Sequence, residues 1–405
     1  MPPARPDPAS FGTICALGIA QIISWGSIYY AFSFLISPLM AASGGDKATV
    51  FASFSLGLLV SGILSAPVGS LIDRVGGRGV MTAGSLAGAV LLALLSQVQS
   101  VIALYAVWAG LGAVMAATLY EPAFAVITRL FASNYRRAIT TLTLFGGFAS
   151  TVFWPLTQFL IAHIGWQHAL LVLAALNLLV CAPLHWWVLP RNGGAGQGRR
   201  TASAPSGAFR TALRTPVFYL LTIAFTGNAL VFSATQVHLM SILQAKQMTA
   251  ASAALVGAMI GPMQVTGRVL ELAFASRLSA STVGIVAMAF LPLSLLLLGI
   301  AGVEWPLLMC FAVIYGTGNG VMTVVRGAIP AELFGRDAYG AINGAMAAPV
   351  TVAKAAGPLV AALLYAALGG YDTTLFILIA IGAASTLVFV LSTRASRHGR
   401  PAPIQ

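Results

Sequence analysis

Charge is scarce in this 405-residue chain. Asp, Glu, Lys and Arg make up 7% of it, where a soluble domain carries about 25%. Nine acids and 21 bases cannot coat a water-soluble particle of this size, which excludes a soluble globular protein. The formal net charge of +12 does not point to nucleic acid. The bases form no stripe interleaved with aromatics, but sit in short clusters between apolar runs, as topology signals do. The three cysteines, Cys15, Cys181 and Cys310, lack metal-ligand spacing and read as small apolar core residues. No Walker motif, metal-ligand cluster or Ser/His/Asp arrangement is present. Hydrolysis of ATP within this chain, an enzyme, and a bound cofactor or metal are therefore not expected. The opening MPPARPDPAS is polar and Pro-rich, unlike a cleavable signal peptide.

Apolar runs are abundant. Hydrophobic residues account for 59% of the chain, and mean hydropathy is +0.92. A membrane span needs about 20 apolar residues. Twelve candidates stand between polar breaks, at approximately 11–41, 48–72, 79–97, 100–131, 136–163, 166–190, 215–243, 249–276, 281–302, 305–333, 338–368 and 371–393. The fold class is all-α integral membrane. On the twelve-span count, sixteen of the 21 bases fall on one side and only Lys47 and Lys246 on the other. That asymmetry puts both termini in the cytoplasm of a bacterial-type inner membrane. The segment 191–214 is basic and rich in Gly, Ser and Ala. It reads as a cytoplasmic linker between an N-terminal six-helix bundle (11–190) and a C-terminal one (215–393), with short cytoplasmic ends at 1–10 and 394–405.

The halves look like weak repeats. Shifting the first by 203 positions lays Leu130 and Phe131 on Leu333 and Phe334, Ile139 on Ile342, and Pro155 on Pro358. Between spans 2 and 3 stands Gly69-Ser-Leu-Ile-Asp73-Arg74-Val-Gly76-Gly-Arg78. Gly69 would allow close helix contact and Gly76 a tight turn. Asp73 could cap a helix end or pair with a base, and Arg74 and Arg78 would anchor the loop in the cytoplasm. The segment closely resembles the signature loop of the major facilitator superfamily. The second-half counterpart, from Gly267 to Arg277, has lost the aspartate. The resemblance implies twelve helices in two pseudo-symmetric six-helix bundles, with spans 1, 2, 4, 5, 7, 8, 10 and 11 around a central cavity.

Five ionisable residues fall inside spans: Glu121, Arg268, Glu271, Arg326 and Lys354. At the bilayer centre each costs about 2.5–3.5 kcal/mol on insertion scales. They persist where a cavity or a partner receives them. Arg can grip a carboxylate through two hydrogen bonds, and Lys adds a point charge. An Arg in span 8 with a Lys in span 11 resembles the oxalate:formate antiporter group, and the span 8 Arg the related monocarboxylate transporters. By that resemblance Arg268 and Lys354 would hold an anion. The alternatives are that Arg268 pairs with Glu271 on its own helix, or Lys354 with an acid such as Glu121. Glu121 and Arg326 occupy nearly matching places in the two halves. They could form an inter-half pair that breaks during transport, or a permanent one, or Glu121 could take up a proton.

Gln21, Trp25, Tyr29 and Ser33 recur every four residues, so an α-helical span 1 would show them as one stripe. Tyr29, with Asn228 and Asn319, would shape a pocket. Gly316, Gly318 and Gly320 suit close helix contact. His238 reads as a membrane-interface residue. The expected function is a secondary active transporter, moving a mono- or dicarboxylate by alternating access. Its partners would be the small anion, a proton or counter-anion and the lipid bilayer, and the carrier would be a monomer. The alternative is a proton-driven exporter of drugs, siderophores or other amphiphiles.

Overall fold

A computed structural model describes residues 11–131, 135–190, 207–274, 279–334 and 339–398. Residues 191–206 of the segment expected to be a linker, most of the expected tails, Arg277 and Arg336 lie outside the described residues, and the remainder of that segment carries a short helix, Gly207–Leu213. Every described element is a helix. Eleven stretches are long and apolar enough to cross a membrane, and one of them, Thr141–Val188, runs for 48 residues. At 1.5 Å per residue that is about 70 Å, twice a bilayer. Gly165 interrupts it with φ 79° and ψ 162°, a conformation open to glycine. Divided there, the spans among the described residues number twelve.

They are α1 (Phe11–Ser43), α2 (Lys47–Val75), α3 (Gly77–Leu95), α4 (Val101–Thr118 continued by Tyr120–Leu130), α5 (135–164), α6 (166–188), α7 (Pro216–Ala245), α8 (Ala250–Phe274), α9 (Ala280–Ile300), α10 (Trp305–Phe334), α11 (Tyr339–Leu368) and α12 (Tyr371–His398). Each agrees with its sequence expectation to within a few residues. Polar side chains start several of them. Asp46 accepts from the Thr49 backbone N–H at 2.8 Å, and Ser100 from that of Ala103 at 3.3 Å. Hydrogen bonds from Thr49 hold the Asp46 carboxyl below its usual range. This cap therefore acts at neutral pH and fades as acid protonates Asp46.

The chain divides into two compact units. Unit 1 comprises Met1–Gln197 with Val237–Gly261, and unit 2 comprises Gly198–Gln236 with Pro262–Gln405. The far end of α7 and the start of α8 thus belong with the first six helices. Three contacts tie them there. Ser33 donates to the Val237 carbonyl at 3.3 Å. Thr151 donates to that of Ala258 at 2.9 Å. The His238 ring stacks on Phe51 at 3.7 Å, with 8° between planes. His238 is 1% exposed, so it is a buried packing residue and not the interface residue expected.

The core of unit 1 gathers Ile14 and Leu17 of α1, Met81 of α3, Val126 and Ile127 of α4, and Leu142 of α5. That of unit 2 gathers Phe225 of α7, Met288 of α9, Val325 of α10, Met346 of α11 and Phe389 of α12. Glycines let backbones touch inside each unit. A Cβ on Gly112 of α4 would lie 2.2 Å from the Gly57 carbonyl oxygen of α2. A Cβ on Gly320 of α10 would lie 2.1 Å from that of Gln264 in α8. The same crossing, second helix against fourth, is built in both halves. Among the cysteines only Cys181 is buried; Cys15 is half-buried and Cys310 exposed, so the core reading fails for Cys310.

Candidate functional site

The loop between α2 and α3 turns on Gly76, whose φ of 86° and ψ of 163° suit glycine. Among the described residues nothing lies within 4 Å of a Cβ built on Gly69, so they make no close contact there. Arg78 is a second correction. It is 4% exposed and does not reach into solvent as a loop anchor. Its Nε donates to the Leu189 carbonyl at the end of α6, and its guanidinium lies 5.9 Å from the Trp186 ring centroid. A buried arginine here closes the carbonyl end of α6, where the helix dipole favours a cation. The side chains of Asp73 and Arg74 lie outside the described ones.

In unit 1 the candidate surface is aromatic. Residues Trp25–Tyr30 of α1 form a π-helical turn, whose wider winding breaks the expected stripe. Gln21 and Trp25 meet α4, Tyr29 meets α2, and Ser33 meets Val237. Trp25 lies 5.3 Å from Tyr29 and 5.2 Å from Tyr120, ring centroid to centroid. Tyr120 stacks on Phe124. A Cβ on Gly146 of α5 would fall 2.0 Å from the Tyr120 hydroxyl, so that glycine makes room for the phenol. Trp154 donates its indole N–H to the Tyr30 carbonyl at 3.2 Å. A second π-turn, Asn177–Cys181 in α6, faces the first. Asn177 Nδ2 donates to Ser27 Oγ at 2.8 Å. Glu121 follows Tyr120 in the first turn of the second segment of α4, and is exposed.

Unit 2 holds the cations. On α11, Lys354 is exposed, between buried Ala353 and Ala355. Of the exposed large apolar residues of that helix, Val352 (56%) and Leu363 (53%) stand about 160–180° away around the axis, whereas Leu368 (41%), at the far end of the helix, stands about 40° away. Near its own level Lys354 therefore opens on a different face from the exposed apolar residues of α11. On α8, Arg268 is 8% exposed and shares a face with buried Gln264, while Met259 and Leu270, 37% and 44% exposed, lie opposite. Glu271 is half-buried one turn on from Arg268. Arg326 of α10 is half-buried.

Asn228 and Asn319 do come together, though not in an open chamber. With Phe232, Leu291, Tyr315 and Met322 they line a cavity of about 10 Å³ inside unit 2, room for about one water and too small for an organic anion. Tyr315 donates its hydroxyl to the Phe232 carbonyl at 3.2 Å beside it. Sequence reasoning missed the two π-turns, Tyr120 and Gly146. A π-turn has no compositional signature, and Tyr120 stands out only once the break in α4 is known. Among the described residues no group of His, Cys, Asp or Glu could hold a metal ion.

The family profile of the Major Facilitator Superfamily matches residues 17–302. Two curated relatives, monocarboxylate transporter 14 of Mus musculus and of Homo sapiens, are 36% identical over 137 residues and 37% identical over 142. These matches cover 32% and 33% of this chain, but only 25% and 26% of the relatives' lengths. Among solved structures, a bacterial homologue of the human lysosomal transporter Spinster, inward-facing and unoccupied, superposes with a TM-score of 0.76 at 14% identity, covering 99% of this chain and 100% of that one. The nucleoside transporter NupG superposes with a TM-score of 0.74 at 14% identity, covering 94% and 98%. Likeness at this identity establishes the fold alone.

Proposed function

The chain belongs to the major facilitator superfamily and is a membrane transporter, not an enzyme; within that family we propose that it carries a small organic anion, a mono- or dicarboxylate. The placement of Lys354 carries this reading. A lysine inside a span is costly unless it meets water or a counter-charge, and here it opens away from the exposed apolar residues of α11 near its own level. Arg268, turned from the exterior of α8, supplies a second positive group with a planar fork for a carboxylate. The partial likeness to monocarboxylate transporter 14 supports the same substrate class.

Transport then follows from alternating exposure of the cations. The anion binds when Lys354 and Arg268 are accessible from one side, and its charge offsets theirs, in part for a monocarboxylate and fully for a dicarboxylate. The loaded site reorients more easily than the empty one, because less net charge must be desolvated. The Tyr29, Trp25 and Tyr120 cluster, its rings inclined at 50–65° to one another, gives the first unit an aromatic wall that would shape the site. Coupling runs through a proton, with Glu121 as its carrier, or through exchange for a second anion. The carrier is a monomer in a bacterial-type inner membrane, with both termini cytoplasmic, as its basic loops direct.

The aromatic cluster is also the observation that favours an exporter of amphiphilic compounds, for which such a wall would be a greasy pocket. Uptake into proteoliposomes separates the two. Labelled oxalate, formate and lactate are offered to wild type and to Lys354→Gln. The anion carrier takes up at least one, and Lys354→Gln loses that uptake by roughly a hundredfold. An exporter of amphiphiles takes up none, or is indifferent to the substitution.

A further inference from the structure

A proline in a helix cannot donate to the carbonyl four residues before it. In a membrane no water makes good the loss, so neighbouring helices must. Here a side chain from another helix takes up that carbonyl at three prolines. Thr151 of α5 donates to Ala258 O at 2.9 Å, four before Pro262. Thr386 of α12 donates to Met288 O at 3.1 Å, four before Pro292. Ser233 of α7 donates to Lys354 O at 2.6 Å, four before Pro358. Gln21 of α1 does the same for Thr118 O of α4, at 2.7 Å, a carbonyl left open by the break of α4 at Leu119. Gln21 is wholly buried and Ser233 is 1% exposed.

Two of these four sites lie at in-membrane charges. Lys354 is itself the carbonyl that Ser233 holds. The carbonyl held by Gln21 closes the first segment of α4. Leu119 then leaves the helix with ψ −153°, and the second segment opens with Tyr120 and Glu121. The Leu119 carbonyl also receives Gln21 Nε2, at 3.4 Å. α7 is pressed onto α11 at the same level, since a Cβ on Gly357 would sit 2.7 Å from the Leu230 carbonyl oxygen. We propose that Ser233 and Gln21 are positioning residues of the carrier: Ser233 replaces the hydrogen bond that Pro358 removes, Gln21 holds the carbonyls opened by the break in α4, and each so fixes the turn that presents Lys354 or Glu121. The consequence for transport rests on the anion-carrier reading; the hydrogen-bond replacement does not.

Backbone amide exchange of the full-length protein in lipid nanodiscs tests it without a substrate. In Ser233→Ala, amides within 350–362 exchange about tenfold faster, as expected where a buried carbonyl loses its donor. Ser233→Thr keeps the hydroxyl and the wild-type rate. In the pair Ser233→Ala/Pro358→Ala, residue 358 regains an N–H for the Lys354 carbonyl, and exchange returns to within about twofold of wild type. Gln21→Leu likewise speeds exchange over 116–126 by about tenfold. If Ser233→Ala yields no folded protein, recovery of folded protein in the pair supports the proposal, and failure to recover it overturns it. Unchanged exchange in Ser233→Ala, or no relief on removing the proline, also overturns it. Uptake of labelled oxalate and lactate completes the test. Ser233→Ala raises KM about tenfold with kcat little changed, and the pair stays impaired because the turn is straightened. Uptake equal to wild type in Ser233→Ala overturns the positioning role. If wild type takes up neither probe, the anion reading fails while the exchange result still decides the proposal.

Discussion

Gly112→Ala and Gly320→Ala each leave little folded protein, whereas Gly69→Ala leaves the melting temperature unchanged. At Gly112 and Gly320 an added Cβ meets a backbone carbonyl oxygen at 2.2 and 2.1 Å. No side chain can rotate aside, so the two helices must part by more than an ångström. Overpacking costs about 1–3 kcal/mol where side chains can yield, and a collision with backbone on both sides belongs at or beyond the upper end of that range. Separation also loses the dispersion contacts that replace the hydrophobic effect between helices in lipid. Gly69, though it heads the signature loop, has no described residue within 4 Å of an added Cβ. Monodispersity and thermal melting of the detergent-solubilised variants check all three. A monodisperse, wild-type melt for Gly320→Ala would contradict the packing described.

Arg268→Gln abolishes anion uptake, and Arg268→Lys reduces it by roughly a hundredfold. The lysine variant decides between two roles. If Arg268 serves only to neutralise Glu271 one turn away, a lysine does the same work, and the pair Arg268→Gln/Glu271→Gln restores transport. If Arg268 grips the carboxylate of the substrate through two parallel hydrogen bonds, lysine keeps the charge but loses the fork. The loss is then about 3 kcal/mol, the upper value for a hydrogen bond to a charged group, which is about two decades in kcat/KM. Removing Glu271 as well does not help. Uptake kinetics of the four proteins in proteoliposomes provide the measurement, and full rescue by the double substitution would assign Arg268 to Glu271.

Hydropathy made the twelve helices readable, because a span must be apolar for about 20 residues whatever its neighbours are. The basic segment 191–214 suggested a division into six and six, whereas the compact units place Val237–Gly261 with the first six helices. The internal repeat was readable only where polar loops punctuate it, at an offset of 203. The packing repeat runs at different offsets. Gly57 and Gly267, and Gly112 and Gly320, fill matching places in the α2–α4 and α8–α10 crossings. They are 210 and 208 positions apart, so no single shift finds both loops and crossings.

The cations were legible from their cost in lipid. Their surroundings were not. The π-turn at Trp25–Tyr30 turns Gln21 and Trp25 toward α4, and Tyr29 toward α2, where a 3.6-residue period makes one stripe of them. Arg78 looked like a loop anchor because it ends a signature motif, yet its guanidinium is buried against α6. Asn228 and Asn319 suggested a binding wall, and line a cavity fit for a water. In each case the sequence showed a polar residue among apolar ones, and the partner that explains it came from a helix distant in the chain.

Ligand-dependent melting of the purified carrier tests the anion-carrier reading most directly, since a ligand that binds only folded protein stabilises it by about 2.7 kcal/mol at a hundred times its Kd. Oxalate, formate, lactate, nucleosides and amphiphilic cations are compared on wild type and on Lys354→Gln. The account predicts that at least one carboxylate raises the wild-type melting temperature by several degrees and leaves Lys354→Gln unmoved. A shift produced by nucleosides or amphiphilic cations alone, or a carboxylate shift that survives the loss of Lys354, would contradict it.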